Sequence, residues 1–196
     1  MGFEIDWPGL RVIIVNGQPS SGKTLFEQYC QDYLGHHRCL IRSSIDCIKN
    51  LASICGWNGV KDERSRKFLS DLKKLTTEYN EYPRKDIEDY LLSWEESLIG
   101  DFDHDILRVL FVDIREPHEI EKFVKYFNAQ TVLVMRADAE TITSNDSDRD
   151  IFNYTYDYII ANDGPKEALR QSAREFIDTL ARDIEIRKRL DNERVY

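Results

Sequence analysis

Residues 17–24 read Gly-Gln-Pro-Ser-Ser-Gly-Lys-Thr, which satisfies the spacing G-x-x-x-x-G-K-[ST] in full. That spacing has a physical meaning. Gly17 and Gly22 permit a tight turn and a close approach of backbone to a ligand, so the N–H groups of Gly17, Gln18, Ser20, Ser21 and Gly22, on a loop shaped by Pro19, can face an anion. Lys23 supplies a point charge for the outer phosphates of a nucleoside triphosphate, and the Thr24 hydroxyl is a ligand for Mg²⁺. The chemistry expected here is binding of a triphosphate tail, a function that also needs a strand before the loop and a helix after it.

A second set of polar residues follows an apolar run, in Phe111-Val-Asp-Ile-Arg-Glu-Pro-His-Glu119. A carboxylate at the C-terminal end of a strand beside the phosphate-loop strand lies where ligands bind in open α/β sheets. Asp113 could hold Mg²⁺ through water or orient an attacking oxygen, and Arg115 could take a phosphate in a bidentate grip. The same residues also allow a purely structural reading, with Asp113 capping the helix that Pro117 begins and Arg115 paired to Glu119.

The elements that must position these groups can be read from hydrophobic pattern. Short β-branched runs at 11–16, 39–41, 106–112, 131–135 and 158–160 predict strands. Helical patterns lie between them, at 23–34, along a charged stretch from 46 to 98, at 117–127 and from 165 to about 190. Strands alternating with helices predict a parallel α/β sheet with right-handed crossovers. In the last helix Leu169, Ala173, Phe176, Ile177, Leu180 and Ile184 recur at three-and-four spacing, which predicts packing on the sheet. Two stretches interrupt the alternation. Residues 46–100 are charged and aromatic and read as an inserted helical subdomain, and residues 137–150 are polar and read as a lid.

Length and charge narrow the function classes. The 196 residues, 41% of them hydrophobic, suit one domain with a sizeable core. A net charge of −9 argues against broad attraction to nucleic acid or acidic membranes. There is no apolar run of membrane-spanning length, and Glu4 and Asp6 stand where a secretory signal would be basic, so a cytoplasmic location is expected. Cys30, Cys39, Cys47 and Cys55 lack metal-ligand or redox spacing and are expected to be reduced and mostly buried. His36, His37, His104 and His118 show no ligand pattern either.

The order of phosphate loop, Asp113-x-Arg115-x-x-x-Glu119, a strand closed by Arg136, a polar lid and Tyr156-Asp-Tyr-Ile-Ile-Ala-Asn162-Asp-Gly164 resembles phage and bacterial deoxynucleoside monophosphate kinases. It is also similar to animal-type phosphomevalonate kinase. The resemblance implies a three-layer P-loop fold with about five parallel strands, a helical acceptor-binding insertion and a short lid, all within a single kinase domain over 1–196. It implies transfer of a phosphoryl group from ATP, with Mg²⁺, to a small acceptor that already carries a phosphate. Lys23, Asp113, Arg115 and Arg149 match catalytic positions, Thr24 and Asp113 the magnesium positions, and Arg136 a place near the donor base. For the acceptor, Lys61, Arg64, Arg66, Trp94 and Arg115 match, with Arg66 foremost because it stands three residues before Leu69. Departures are visible too: Ser147-Asp148-Arg149 replaces a Ser-Glu pair, and Arg42 to Lys49 lacks the usual small-residue pattern.

The leading expectation is therefore a kinase acting on a (deoxy)nucleoside monophosphate, with ATP and the acceptor as partners and a homodimer left open. A kinase for another phosphometabolite is the close alternative. From a different class comes a nucleotide-dependent switch or regulatory ATPase, which would show an exposed apolar patch within 46–100.

Overall fold

The computed structural model describes residues 3, 7–60, 62–98, 106–137 and 150–194. Five strands are present: β1 (Leu10–Asn16), β2 (Cys39–Ser43), β3 (Arg108–Asp113), β4 (Gln130–Met135) and β5 (Tyr158–Ala161). Six α-helices accompany them: α1 (Lys23–Leu34), α2 (Asp46–Ile54), α3 (Glu63–Asn80), α4 (Tyr82–Ser97), α5 (Pro117–Phe127) and α6 (Lys166–Arg194). A one-turn 3₁₀ helix covers Asp150–Asn153. Each strand agrees with its apolar run to within two residues at either end. β3 starts and ends later than its run, which makes Asp113 the last residue of the strand.

The strands form one parallel sheet in the order β2-β3-β1-β4-β5. The fold is thus the expected α/β arrangement of five parallel strands with helices between them, and β1 lies in the middle. Its neighbours lie on opposite sides in the chain's path: the register pairs Val15 with Asp113 of β3, and Asn16 with Leu133 of β4. The loop after β1 therefore leaves the sheet where the strand order reverses, the crevice that ligands use in such sheets.

The chain divides into two compact units, Met1–Ile41 with Asp103–Tyr196, and Arg42–Phe102. In the first, alternation along the strands sends side chains to opposite faces. Ile13, Val15, Val109, Phe111, Val132 and Val134 pack with α1 and α6, including all six apolar positions expected on the last helix. Phe26, Phe111 and Phe176 meet at ring separations of 5.6–6.3 Å. Helix α5, begun by Pro117, buries Ile120, Phe123 and Phe127. Cys30, Cys39 and Cys47 are buried thiols, whereas Cys55 is exposed.

The second unit holds α2, α3 and α4. Asp62 caps α3 by accepting the Ser65 N–H at 2.7 Å. Glu81, left-handed at φ 57°, ends that helix and starts the next, where Arg84 grips Glu81 and Glu88 at 2.7 and 2.8 Å. Ile48, Ile87 and Leu91 are fully buried, but no residue of α3 is. Phe68, Leu75 and Tyr79 fall within one stripe of that helix and are exposed, Tyr79 to 86%.

The Phe26 ring carries much of the packing between α1 and the sheet. Phe26→Ala should cost about 3–5 kcal/mol in urea unfolding, the usual loss for a large aromatic that leaves a cavity. A loss under about 1 kcal/mol would show that α1 is held by something else.

Candidate functional site

Helix α1 begins at Lys23 with Gly22 as its N-cap, and no side chain caps it. Gly22 has φ 94° and Ser20 φ 62°, so two left-handed residues separated by one fold the loop into a concavity of main-chain amides. The first amides of any helix lack intrahelical acceptors, and here they join the positive end of the helix dipole. Glycine is needed at both ends of the loop for lack of space. A Cβ on Gly17 would stand 2.5 Å from the Val134 carbonyl oxygen, and one on Gly22 would collide with the Asn162 side chain.

Side chains from two other places in the sheet, the end of β1 and the segment after β5, hold this loop. Asn162, just after β5, donates from Nδ2 to the Ser21 carbonyl at 2.8 Å, and its own N–H bonds the Met135 carbonyl at 2.7 Å. Asp163 accepts the Ala137 N–H at 2.7 Å, fixing the exit of β4 beside Arg136, whose side chain is exposed. At the end of β1, buried Asn16 accepts the Gly17 N–H at 2.8 Å and donates to the Arg115 carbonyl at 3.1 Å and the Tyr156 hydroxyl at 2.9 Å. Asn16, Tyr156 and Asn162 have no place in the sequence-based site. Tyr156 and Asn162 stood in one motif but without a role, and a lone Asn after an apolar strand carries no spacing signal.

Lys23 Nζ lies 2.6 Å from Asp113 Oδ1, both side chains largely buried. The structure thereby joins the two constellations that the sequence placed 90 residues apart. Helix α5 takes Glu116 as its N-cap, with no side-chain hydrogen bond, so Asp113 is not its cap. Thr24, in the first turn of α1, is exposed. Among the described residues, no group of three or more His, Cys, Asp or Glu side chains could hold a metal ion. One hydroxyl and one carboxylate remain, a sparse set of oxygen donors of the kind Mg²⁺ accepts, since it keeps most of its waters.

Glu27, one turn into α1, is a group the sequence reading passed over. It is fully buried, and neither carboxylate oxygen has a hydrogen-bond partner. Burial, then the charge of Asp113, pushes its carboxyl up from 4.5 to about 8, with Lys23 pulling the other way. At neutral pH Glu27 is therefore largely a neutral acid beside the Lys23–Asp113 pair.

Other expected site residues are placed separately. Arg64 and Arg66 are exposed on α3, and Trp94 is buried on α4, all within the second unit. Lys61 and Arg149 lie outside the described residues, as do 138–149 of the expected lid. No helix among the described residues is long and apolar enough to cross a membrane.

No family model matches the sequence, and no curated protein does. Among solved structures the chain is similar to an unliganded sugar kinase from Janibacter sp. HTCC2649. That likeness has a TM-score of 0.44 at 12% identity and covers 89% of this chain and 98% of the other. A likeness of that extent carries no inference about chemistry.

The Glu27 environment sets a pH dependence. The unfolded chain ionises this group near 4.5 and the folded chain only near about 8, so the unfolded state binds fewer protons between those values. Stability from this group is therefore lost as pH rises through that window. Glu27→Gln should melt at least about 2 °C above the parent at pH 8, with the gap closing towards pH 5, given roughly 2–4 °C per kcal/mol for a chain of this size. Equal melting differences at both pH values would contradict the assignment.

Proposed function

We propose that this chain transfers the γ-phosphoryl group of Mg·ATP to a small acceptor that already carries a phosphate, most simply a (deoxy)nucleoside monophosphate. The carrying observation is the uncapped start of α1, folded by Ser20 and Gly22 into an amide cradle with Lys23 beside it and Asp113 2.6 Å from that lysine. An anion is the partner that suits a helix start of this kind.

Phosphoryl transfer asks a protein for positioning and positive charge, with little covalent chemistry. In this reading Lys23 exchanges Asp113 for the outer phosphate oxygens. Asp113 is then released to a magnesium-bound water or to the acceptor oxygen. Magnesium, held through Thr24 and Asp113, would neutralise charge on the phosphates. Arg115 follows Asp113 by two residues and is exposed, which suits a grip on the acceptor's phosphate. Arg136 at the exit of β4 serves the donor nucleotide, and Arg64, Arg66, Lys61 and Trp94 are the proposed contributors from the helical insertion, with Arg149 from the lid.

A second reading has its own observation. The exposed stripe of Phe68, Leu75 and Tyr79 on α3 is the kind of surface that a nucleotide-dependent switch would present to a protein partner. The two readings part on acceptor dependence. Purified protein with Mg·ATP should release ADP faster when the right monophosphate or phosphometabolite is added, and chelation of Mg²⁺ should stop it. Nucleotide hydrolysis indifferent to every acceptor would favour the switch.

Two substitutions test the roles. Lys23→Ala should lower turnover by about 10²–10³-fold, the scale for losing one transition-state donor. Arg115→Ala should raise the acceptor KM about 10-fold or more, as for one charge-assisted hydrogen bond, while leaving the ATP Kd near its original value. Equal weakening of both substrates would remove Arg115 from the acceptor edge.

A further inference from the structure

Asn16 is an amide at the end of a strand whose other central residues are Val12, Ile13, Ile14 and Val15, and it is fully buried. Burying an amide costs free energy unless each donor and acceptor is matched. Here the matching is complete and directional. Oδ1 accepts the Gly17 N–H at 2.8 Å, and the two Nδ2 hydrogens go to the Arg115 carbonyl at 3.1 Å and the Tyr156 hydroxyl oxygen at 2.9 Å. Tyr156 then donates its single hydrogen to the Ile151 carbonyl at 3.0 Å. Burial pushes the Tyr156 phenol up to about 12, so it remains a donor across the physiological range.

The three partners are backbone groups of three different segments. Gly17 opens the phosphate loop, Arg115 belongs to the stretch after β3 that also carries Asp113, and Ile151 lies in the 3₁₀ turn ahead of β5. An apolar residue at position 16 would pack against the neighbouring strands without linking any of them. A connected polar network in a low-dielectric interior is rigid because each bond is strengthened by the next and expensive to break.

We propose that Asn16 and Tyr156 are positioning residues for phosphoryl transfer: they lock the phosphate loop, the Asp113–Arg115 strand end and the turn at Ile151 into one frame. The frame fixes how far the groups that hold the donor phosphates stand from those that face the acceptor. The inference rests on the proposed kinase reading and deepens it, because transfer depends steeply on that separation whereas nucleotide binding by the loop alone does not.

Tyr156→Phe is the informative variant, since it keeps the ring and its edge contact with Tyr154, at 5.0 Å between centroids, and removes only the hydroxyl. The variant is assayed well below its melting temperature for Mg·ADP affinity by calorimetry, for kcat with the acceptor found by screening, and for amide hydrogen exchange. The expected result is a Kd within about 3-fold of the parent, a kcat lower by about 10-fold or more, and faster exchange at 113–117 and 150–156 but not at 17–24. An unchanged kcat with a lowered melting temperature would reduce Tyr156 to a structural role and overturn the proposal, as would unchanged exchange in those two segments. Absence of acceptor-dependent turnover in the parent protein is a different result: it removes the kinase reading, and the claim about transfer with it.

Discussion

The head of helix α1 sets the terms for the rest of the first unit. The first N–H groups of a helix have no intrahelical acceptor, no side chain caps this helix start, and the turn before it holds Ser20 and Gly22 in left-handed backbone conformations. Such a turn has little to stabilise it locally. It persists because the surroundings over-determine it: Asn16 on its first amide, Asn162 on the Ser21 carbonyl, and the packing of Phe26 and Cys30 behind it. Free energy from the core is thus used to hold the loop in this shape.

Electrostatics at the cradle follow from the same economy of contacts. Lys23 sits against Asp113, and Glu27 stays largely neutral first because burial disfavours its charged form and then because an ionised carboxylate there would oppose that of Asp113. Net charge at the site therefore stays low in the absence of anions. In the proposed reading a triphosphate would bring negative charge to a place that already has a lysine and a helix dipole to receive it, and Asp113 would become available to a cation or to a hydroxyl.

The helical unit is stabilised differently. Its interior is small, with Ile48, Ile87 and Leu91 fully buried, and α3 relies on its Asp62 cap and on exposed i,i+4 pairs such as Lys67–Asp71 and Lys74–Glu78. Exposed pairs of that kind contribute little each. The cations of α3 that the resemblance brought forward are exposed on this helix, beside acidic neighbours that would also suit an ordinary solvated face.

Strands, helices and the phosphate loop were legible in the amino-acid sequence because each depends on local regularity. β-branched runs cannot hide their period, Pro117 marks the start of α5, and the glycine spacing of 17–22 fits one backbone shape. The strand order was not legible, nor were the roles of Asn16, Glu27, Tyr156 and Asn162. Each of those residues acts on a group far away in the chain: Asn16 on Arg115 and Tyr156, Asn162 on Ser21, and Glu27 through a burial created by the sheet and the helices packed on it. Sequence by itself determined the strand, the glycine-bounded loop and the helix that follows it, since these are a matter of residue type and short spacing. Asp113 was also expected beside the strand that carries the loop, and β1 lying next to β3 brings it 2.6 Å from Lys23; the contacts of Asn16, Glu27, Tyr156 and Asn162 were decided by tertiary structure alone, because no local pattern encodes a neighbour that arrives from another strand.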